Sequence, residues 1–276
     1  MTVAGVTGAS GFIGRHTVAG LLTAGHEVRE IHPDDIRDAR VVIHLAYTSA
    51  HMANVDIARK LVHSFLAAKA ERMIYCSTAV VVGRTAEAVV SESTPCQPGT
   101  AYEATKYAIE GIMRDALGER VTIVRPTMVL GTGGRTLMGL IRSLAAGNGA
   151  MNAIRSFVYG HRAMNLVPVE DLVRVFEKLA RGEIPPAGTL LVSSDEDPRN
   201  EFQTVERLVL EALGKRALRS PVVAPPQLLA GIGSLLGRHI PSRRRYLTQF
   251  PAWRAGTRVT DLGEAVQRVA RNGVVG

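Results

Sequence analysis

Short apolar runs alternate with stretches whose apolar residues recur at three- and four-residue steps along most of the 276 residues. The runs at 2–6, 27–31, 40–45, 72–77, 120–125 and 188–193 predict strands. Between them the helical period predicts helices near 12–24, 53–70, 100–117, 134–147, 169–181 and 201–214, and Asp261 to Arg271 reads as a last short helix. Phe12, Ile13, His16, Thr17, Gly20, Leu21 and Ala24 carry the first of these, and Gly25 stops it. Regular alternation of strand and helix predicts a parallel sheet covered on both faces. Segments around 127–165 and after about 195 leave the alternation and predict a smaller lobe over the carboxyl ends of the strands, where such a sheet binds its ligands. The expected division is one unit over 1–276, with a core near 1–126 and 163–195 and a lobe near 127–162 and 196–276. Pro221, Pro225-Pro226 and Pro241 break up the tail, and no internal repeat is present.

Composition agrees with this reading. Apolar residues make up 46% and aromatics 5%, which suits helix–sheet packing rather than an all-β design. No apolar stretch reaches the length of a membrane span, and the first strand begins at once, leaving no room for a signal peptide. The two cysteines lack metal-like spacing and imply a reducing, cytoplasmic setting. Cys76 on a core strand reads as packing, and Cys96 carries no assigned role. The histidines show no metal-ligand spacing either, so no metal is expected and His44 reads as a core residue.

The net charge of +8 is unevenly placed: residues 201–276 hold twelve Lys/Arg against five Asp/Glu, seven of the eight net charges. Arg238, Arg243, Arg244 and Arg245 form the centre of the excess. The cluster reads as a solvated face, as a diphosphate clamp of paired N–H donors, or as a nucleic-acid or membrane contact. No nucleic-acid motif supports the last. The apolar stretch Leu228 to Leu236 is too short to cross a membrane.

Two motifs carry chemistry. Thr7-Gly8-Ala9-Ser10-Gly11-Phe12-Ile13-Gly14 lies between a strand and a helix. Gly8 suits a tight bend, Gly11 lets a pyrophosphate approach the backbone, Gly14 permits close helix–strand packing, and the helix N-terminus offers N–H groups to phosphate. Tyr102 and Lys106 are four apart on a helix and so share a face. A phenol with a pKa of about 10 is a poor base near neutrality, and a nearby ammonium is expected to lower it.

The glycine turn resembles that of the extended short-chain dehydrogenase/reductase superfamily, the NAD-dependent epimerases and dehydratases. Further segments resemble it in order: Val41 to Tyr47, Asn54-Val55, Tyr75 to Gly83, Arg125-Pro126 with Val129-Leu130-Gly131, and Val167 to Leu172, together covering roughly 1–215. The resemblance implies an α/β, doubly wound parallel sheet of Rossmann type with a small C-terminal substrate lobe. It implies NAD or NADP bound by Gly8, Ser10, Gly11, Phe12, Ile13 and Gly14, by Leu45, Ala46 and Tyr47, and by Lys106 and Pro126. It also implies catalysis by Thr78, Tyr102 and Lys106, with Asn54 holding the backbone or a water that relays protons to Lys106. Ser77 is expected to point away from Thr78.

One departure stands out. Nine residues separate Ile31 from Val41, where the family fits a βα unit, so one sheet edge is expected to be short. His32 takes the position of the ribose-binding acid, Asp35-Ile36 resembles the pair that touches adenine, and Asp34 or Asp35 could take over the ribose. NAD and NADP stay open.

The implied activity is epimerisation or 4-keto reduction of a nucleotide-linked sugar. Ala79-Val80, where dehydratases place an acid pair after the hydroxyl, argue against dehydration. A reductase of small carbonyl compounds shares every motif, and a cofactor-binding protein with vestigial catalysis is the third option. The expected partner is a small molecule, with no nucleic acid and no membrane span; a homodimer is compatible.

Overall fold

The computed structural model describes residues 3–184, 188–216, 244–250 and 256–273. Val3–Thr7 (β1), Glu27–Glu30 (β2), Val41–His44 (β3), Arg72–Cys76 (β4), Val121–Pro126 (β6) and Thr189–Val192 (β9) form one sheet in the order β2-β1-β3-β4-β6-β9. All its neighbouring pairs are parallel, with Ala4 opposite both Val28 and Val41 in register. The two-residue strand β5, Val89–Val90, lies outside this sheet.

Both faces are covered, which is why these strands read as continuous apolar runs. Ala4, Val6, Ile43, Ile74 and Val124 pack with Leu21 of α1 (Phe12–Thr23) and Leu172, Val175, Phe176 and Leu179 of α6 (Val169–Arg181). Val42, Met73, Tyr75 and Ile123 point the other way, against Ala58, Leu61 and Phe65 of α2 (His51–Ala67) and Ile109 and Met113 of α3 (Ala101–Leu117). Neighbouring residues thus separate to opposite faces, as the two-residue period of a strand requires. α3 opens on a capping box: Thr100 Oγ1 accepts from Glu103 N, and the Glu103 carboxylate accepts from Thr100 N.

The short connection after β2 leaves that strand outermost in the sheet. It has only four residues, three of them charged, and Arg29 is paired with Glu27 and Asp38. Shortness and charge keep an open strand edge from recruiting another.

The smaller lobe differs from the sequence reading in one respect. The helix expected at 134–147 begins only at Met138 (α4, Met138–Ala146), and a second helix, α5 (Gly149–Tyr159), follows it. The Asn148 side chain, accepting from Met151 N, caps the new helix and separates the two. Met128–Leu130 (β7) and Leu166–Pro168 (β8) pair in parallel beside them, and Phe202–Ala212 (α7) and Leu262–Asn272 (α8) complete a third apolar cluster.

After residue 243 the chain returns as a strap. Arg245–Tyr246 (β10) pairs in parallel with β5. Glu92 accepts from Leu191 N, Thr248 Oγ1 and Gln249 N, and Asp195 accepts from Tyr246 N and Asn165 Nδ2. Four segments distant in sequence are tied together by two carboxylates. Arg238 and Arg243 lie outside the described residues.

Candidate active site

The glycine turn joins β1, the strand next to the β2 edge of the sheet, to α1. Gly8 has φ +69°, and a Cβ there would stand 2.7 Å from Ala46 N. A Cβ at Gly14 would stand 2.1 Å from Gly8 O, so the helix can approach the turn only with glycine there. Gly11 faces more open space, its only near neighbour being Gly8 O at 3.2 Å. α1 carries no side-chain cap and no acidic residue in its first turn. The arrangement is suited to a pyrophosphate over the first N–H groups.

Thr7 ties this turn to β3. Its Oγ1 accepts from Leu45 N and Ala46 N and lies 2.7 Å from His44 Nδ1. With two N–H groups already directed at it, the hydroxyl donates its proton to Nδ1, so the His44 ring is neutral. Burial, helped by the Lys106 charge, lowers the His44 pKa to about 3. His44 is a hydrogen-bonded core residue, and among the described residues no group of His, Cys, Asp or Glu could hold a metal ion.

Beside the turn is a cavity of about 230 Å³ lined by Ile13, Leu45, Tyr47, Thr78, Tyr102, Lys106 and Pro126, among others. Seven of the residues singled out from the sequence therefore meet in one place. Lys106 is 6% exposed and donates from Nζ to Cys76 O at 2.9 Å. Its ammonium lies near the faces of the Tyr47 and Tyr75 rings. Burial pushes its pKa down.

Tyr102 corrects one expectation. Its phenol is not brought below the ordinary value by Lys106; burial raises it to about 12, with the Thr78 hydrogen bond acting in the opposite direction. Lys106 directs its charge to the Cys76 carbonyl and the two rings rather than to the phenol. In this state the phenol holds its proton.

Asn54 is buried, and its side chain is committed to the loop before it. Oδ1 accepts from Thr48 N, and Nδ2 donates to Thr48 O and Ala50 O. It shapes the start of α2, where Ala50 offers no cap of its own. Ser77 turns away from Thr78 to donate to Glu110 Oε1 at 2.5 Å, and Glu110 takes Arg125 through two bonds of 3.0 and 2.6 Å. Glu110 is 0% exposed and Arg125 4%. The sequence reading missed Glu110, although it stands four residues beyond Lys106 on the same helix face. It also missed the aromatic contact of Tyr47 with Lys106.

At the other end of the turn, a cavity of about 250 Å³ is lined by Gly8, Ala46, His32, Asp34 and Lys60. Asp35 and Ile36 take no part. The Asp35 carboxylate accepts from Arg37 N and Nε, and Ile36 is buried in the core. A larger groove of about 1030 Å³ begins beyond Thr78 and Tyr102, bounded by Val80, Gly83, Arg84, Glu103, Arg244 and Tyr246. Arg244 is not an open fork there. Its Nη atoms donate to Gly83 O and Thr85 O at 2.9 and 2.8 Å. Arg245 belongs to β10 and does not line the groove.

Comparisons with known proteins bear on the family and the fold. No curated protein matches the sequence significantly. Among solved structures, WbmH from Bordetella bronchiseptica in complex with NAD+ superposes with TM-score 0.74 at 19% identity, over 99% of this chain and 98% of that one. RMD from Pseudomonas aeruginosa complexed with NADPH gives 0.68 at 18%, over 100% and 98%. UDP-glucuronic acid 4-epimerase from Bacillus cereus in complex with NAD gives 0.72 at 14%, over 99% and 96%. At these identities the likeness is one of fold. No helix among the described residues is long and apolar enough to cross a membrane. The model of the NAD dependent epimerase/dehydratase family matches residues 37–186, more than half of the sequence, and the chain belongs to that family.

Proposed function

We propose that this chain is an epimerase or 4-keto reductase of a nucleotide-linked sugar, with Thr78, Tyr102 and Lys106 as its catalytic residues. The carrying observation is that all three line one cavity with Ile13 and Pro126, beside the glycine turn. The dinucleotide, when bound along Gly8 to Gly14, supplies the hydride donor or acceptor. Tyr102, protonated at neutral pH, gives its proton to the substrate oxygen in the reducing direction and takes it back in the oxidising one. The Thr78 hydroxyl, which lines the same cavity as that phenol, orients the same oxygen. Lys106 keeps a positive charge at the site and offers N–H donors to the nicotinamide ribose. Asn54 serves by fixing the loop at Thr48 rather than by touching Lys106. The groove beyond Tyr102 has room for a substrate with a large appended group, and one structure of similar fold is named a UDP-glucuronic acid 4-epimerase. Ala79-Val80 directly after Thr78 place no acid pair at the site, so dehydration is not the reaction proposed.

One observation favours a second reading. Arg244 is engaged with backbone carbonyls, which leaves the groove with less cation for a diphosphate than the sequence suggests. A reductase of small neutral carbonyl compounds fits that finding. Turnover of a panel of nucleotide-sugars and plain ketones, each with NAD and NADP forms, separates the two. The first reading expects a nucleotide-sugar to give the higher kcat/KM, and Tyr102→Phe to lower kcat at least about a hundredfold with cofactor affinity kept. A neutral ketone as the better substrate reverses the assignment. Full activity in Tyr102→Phe removes the phenol from it.

A further inference from the structure

We propose that Glu110 is a positioning residue of the reaction: its carboxylate sets Thr78, through Ser77, and Pro126, through Arg125, in their places around Lys106. The proposal rests on the reading that Thr78, Tyr102 and Lys106 carry catalysis.

Three elements meet at the small cavity: the end of β4, the first turns of α3 and the end of β6. Backbone pairing holds β4 to β6 as far as Ser77, whose N–H donates to Val124 O at 2.8 Å. Thr78 follows at once and opens a 3-10 turn over Ala79–Val82. Its place therefore depends on what holds the residues before it. Two side chains of α3, four positions apart and so on one face, take that role. Lys106 Nζ donates to Cys76 O at 2.9 Å, and Glu110 Oε1 accepts from Ser77 Oγ at 2.5 Å. The helix that carries Tyr102 and Lys106 thus grips the two residues immediately before Thr78. The same Oε1 accepts from Arg125 Nε, and Oε2 accepts from Arg125 Nη2. That fixes the residue immediately before Pro126. One carboxylate registers two walls of the cavity against the third.

Stability alone does not account for charge at this place. Glu110 and Arg125 are both buried, and apolar side chains of similar volume often hold a core as well as a buried ion pair does. Apolar packing fixes how closely two elements approach. Three hydrogen bonds to one rigid carboxylate also fix direction. Reacting groups displaced by about an ångström lose up to about a hundredfold in rate. Direction at Thr78 therefore matters more to turnover than to folding.

The test compares the parent with Ser77→Ala and with the paired variant Glu110→Leu, Arg125→Met. Each is assayed on the best substrate of the panel above, with thermal unfolding and calorimetric titration of NAD and NADP alongside. Ser77→Ala leaves the Glu110–Arg125 pair intact, so its melting temperature should stay close to the parent's. Its kcat should fall at least about tenfold, with KM and dinucleotide affinity within about twofold of the parent. The paired variant replaces both charges by apolar volume and should fold. Arg114, 3.7 Å from Glu110 Oε2, has a side chain 46% exposed and can turn to solvent there. That variant should bind dinucleotide like the parent and still lose at least about tenfold in kcat. Adding Ser77→Ala to it should lower kcat no further, because the acceptor is already gone. Parent-like kcat in Ser77→Ala or in a folded paired variant overturns the proposal and leaves the catalytic reading in place. If the paired variant does not fold, Ser77→Ala decides alone. Full activity in Tyr102→Phe, or no turnover anywhere in the panel, overturns the catalytic reading and the proposal with it.

Discussion

The ammonium nitrogen of Lys106 stands 4.6 Å from the centre of the Tyr47 ring. The same ring meets Tyr102 edge-on at 5.3 Å and bonds His51 Nδ1 through its hydroxyl at 3.0 Å. Tyr47 thus touches both Lys106 and Tyr102, the pair proposed to carry catalysis. A desolvated cation over an aromatic face is worth roughly 1–2 kcal/mol. Tyr47→Leu is expected to lower kcat about tenfold and to shift its pH profile, while Tyr47→Phe keeps most activity because the ring remains. Equal activity in Tyr47→Leu and the parent would show that the Cys76 carbonyl and the Tyr75 ring suffice to hold Lys106.

Gly11→Val tests the phosphate site. The only atom near a Cβ there is Gly8 O at 3.2 Å, so the turn can still form. The added methyls instead occupy the space over the α1 N-terminus. Cofactor affinity should drop beyond detection in a fluorescence titration, with the melting temperature nearly unchanged.

Glu110 is expected to be the costliest single loss in α3. Glu110→Ala leaves the Arg125 guanidinium and the Ser77 hydroxyl without their shared partner in a buried site. Removing one member of a buried ion pair costs about 3–5 kcal/mol. Denaturant unfolding of the variant should show a loss of that order; a loss near zero would mean that water replaces the carboxylate.

The lobe contributes a pH dependence. Glu206 is 4% exposed, and burial raises its carboxyl pKa from 4.5 to about 7, while Ser156 and Arg155 act against the rise. Between those values the folded protein keeps a proton that the unfolded chain releases, so stability falls as pH rises through the window. Glu206→Gln should be relatively more stable at pH 8 and should flatten the change in melting temperature between pH 4.5 and 7. An unchanged slope would assign it to Asp171 and Asp195, whose carboxyl groups burial raises to about 6.

The alternating strands and helices were legible because both faces of the sheet are covered, which makes every strand an apolar run of readable length. The glycine turn and the Tyr102/Lys106 spacing were legible because each is fixed by local geometry. What escaped depends on tertiary contact. β5 and β10 are two residues each and exist only because the strap pairs them. Arg244 looked like an anion donor because charge can be counted in a sequence, while the carbonyls of Gly83 and Thr85 that receive it are 161 and 159 positions away. The Tyr102 phenol was misjudged for the same reason: Lys106 was known to be near, but the Cys76 carbonyl and the two rings that hold its charge were not.

The strap has a consequence for the order in which the protein comes into being. A ribosome that has delivered residues 1–216 has released every strand of the sheet, the glycine turn, and Thr78, Tyr102 and Lys106. One wall of the large groove is still missing, because Arg244 and Tyr246 supply it. On the vectorial timescale of synthesis, competence to hold a dinucleotide therefore precedes competence to enclose a substrate. A chain stopped before Arg244 has its glycine turn built and lacks the groove wall where the proposed substrate would lie.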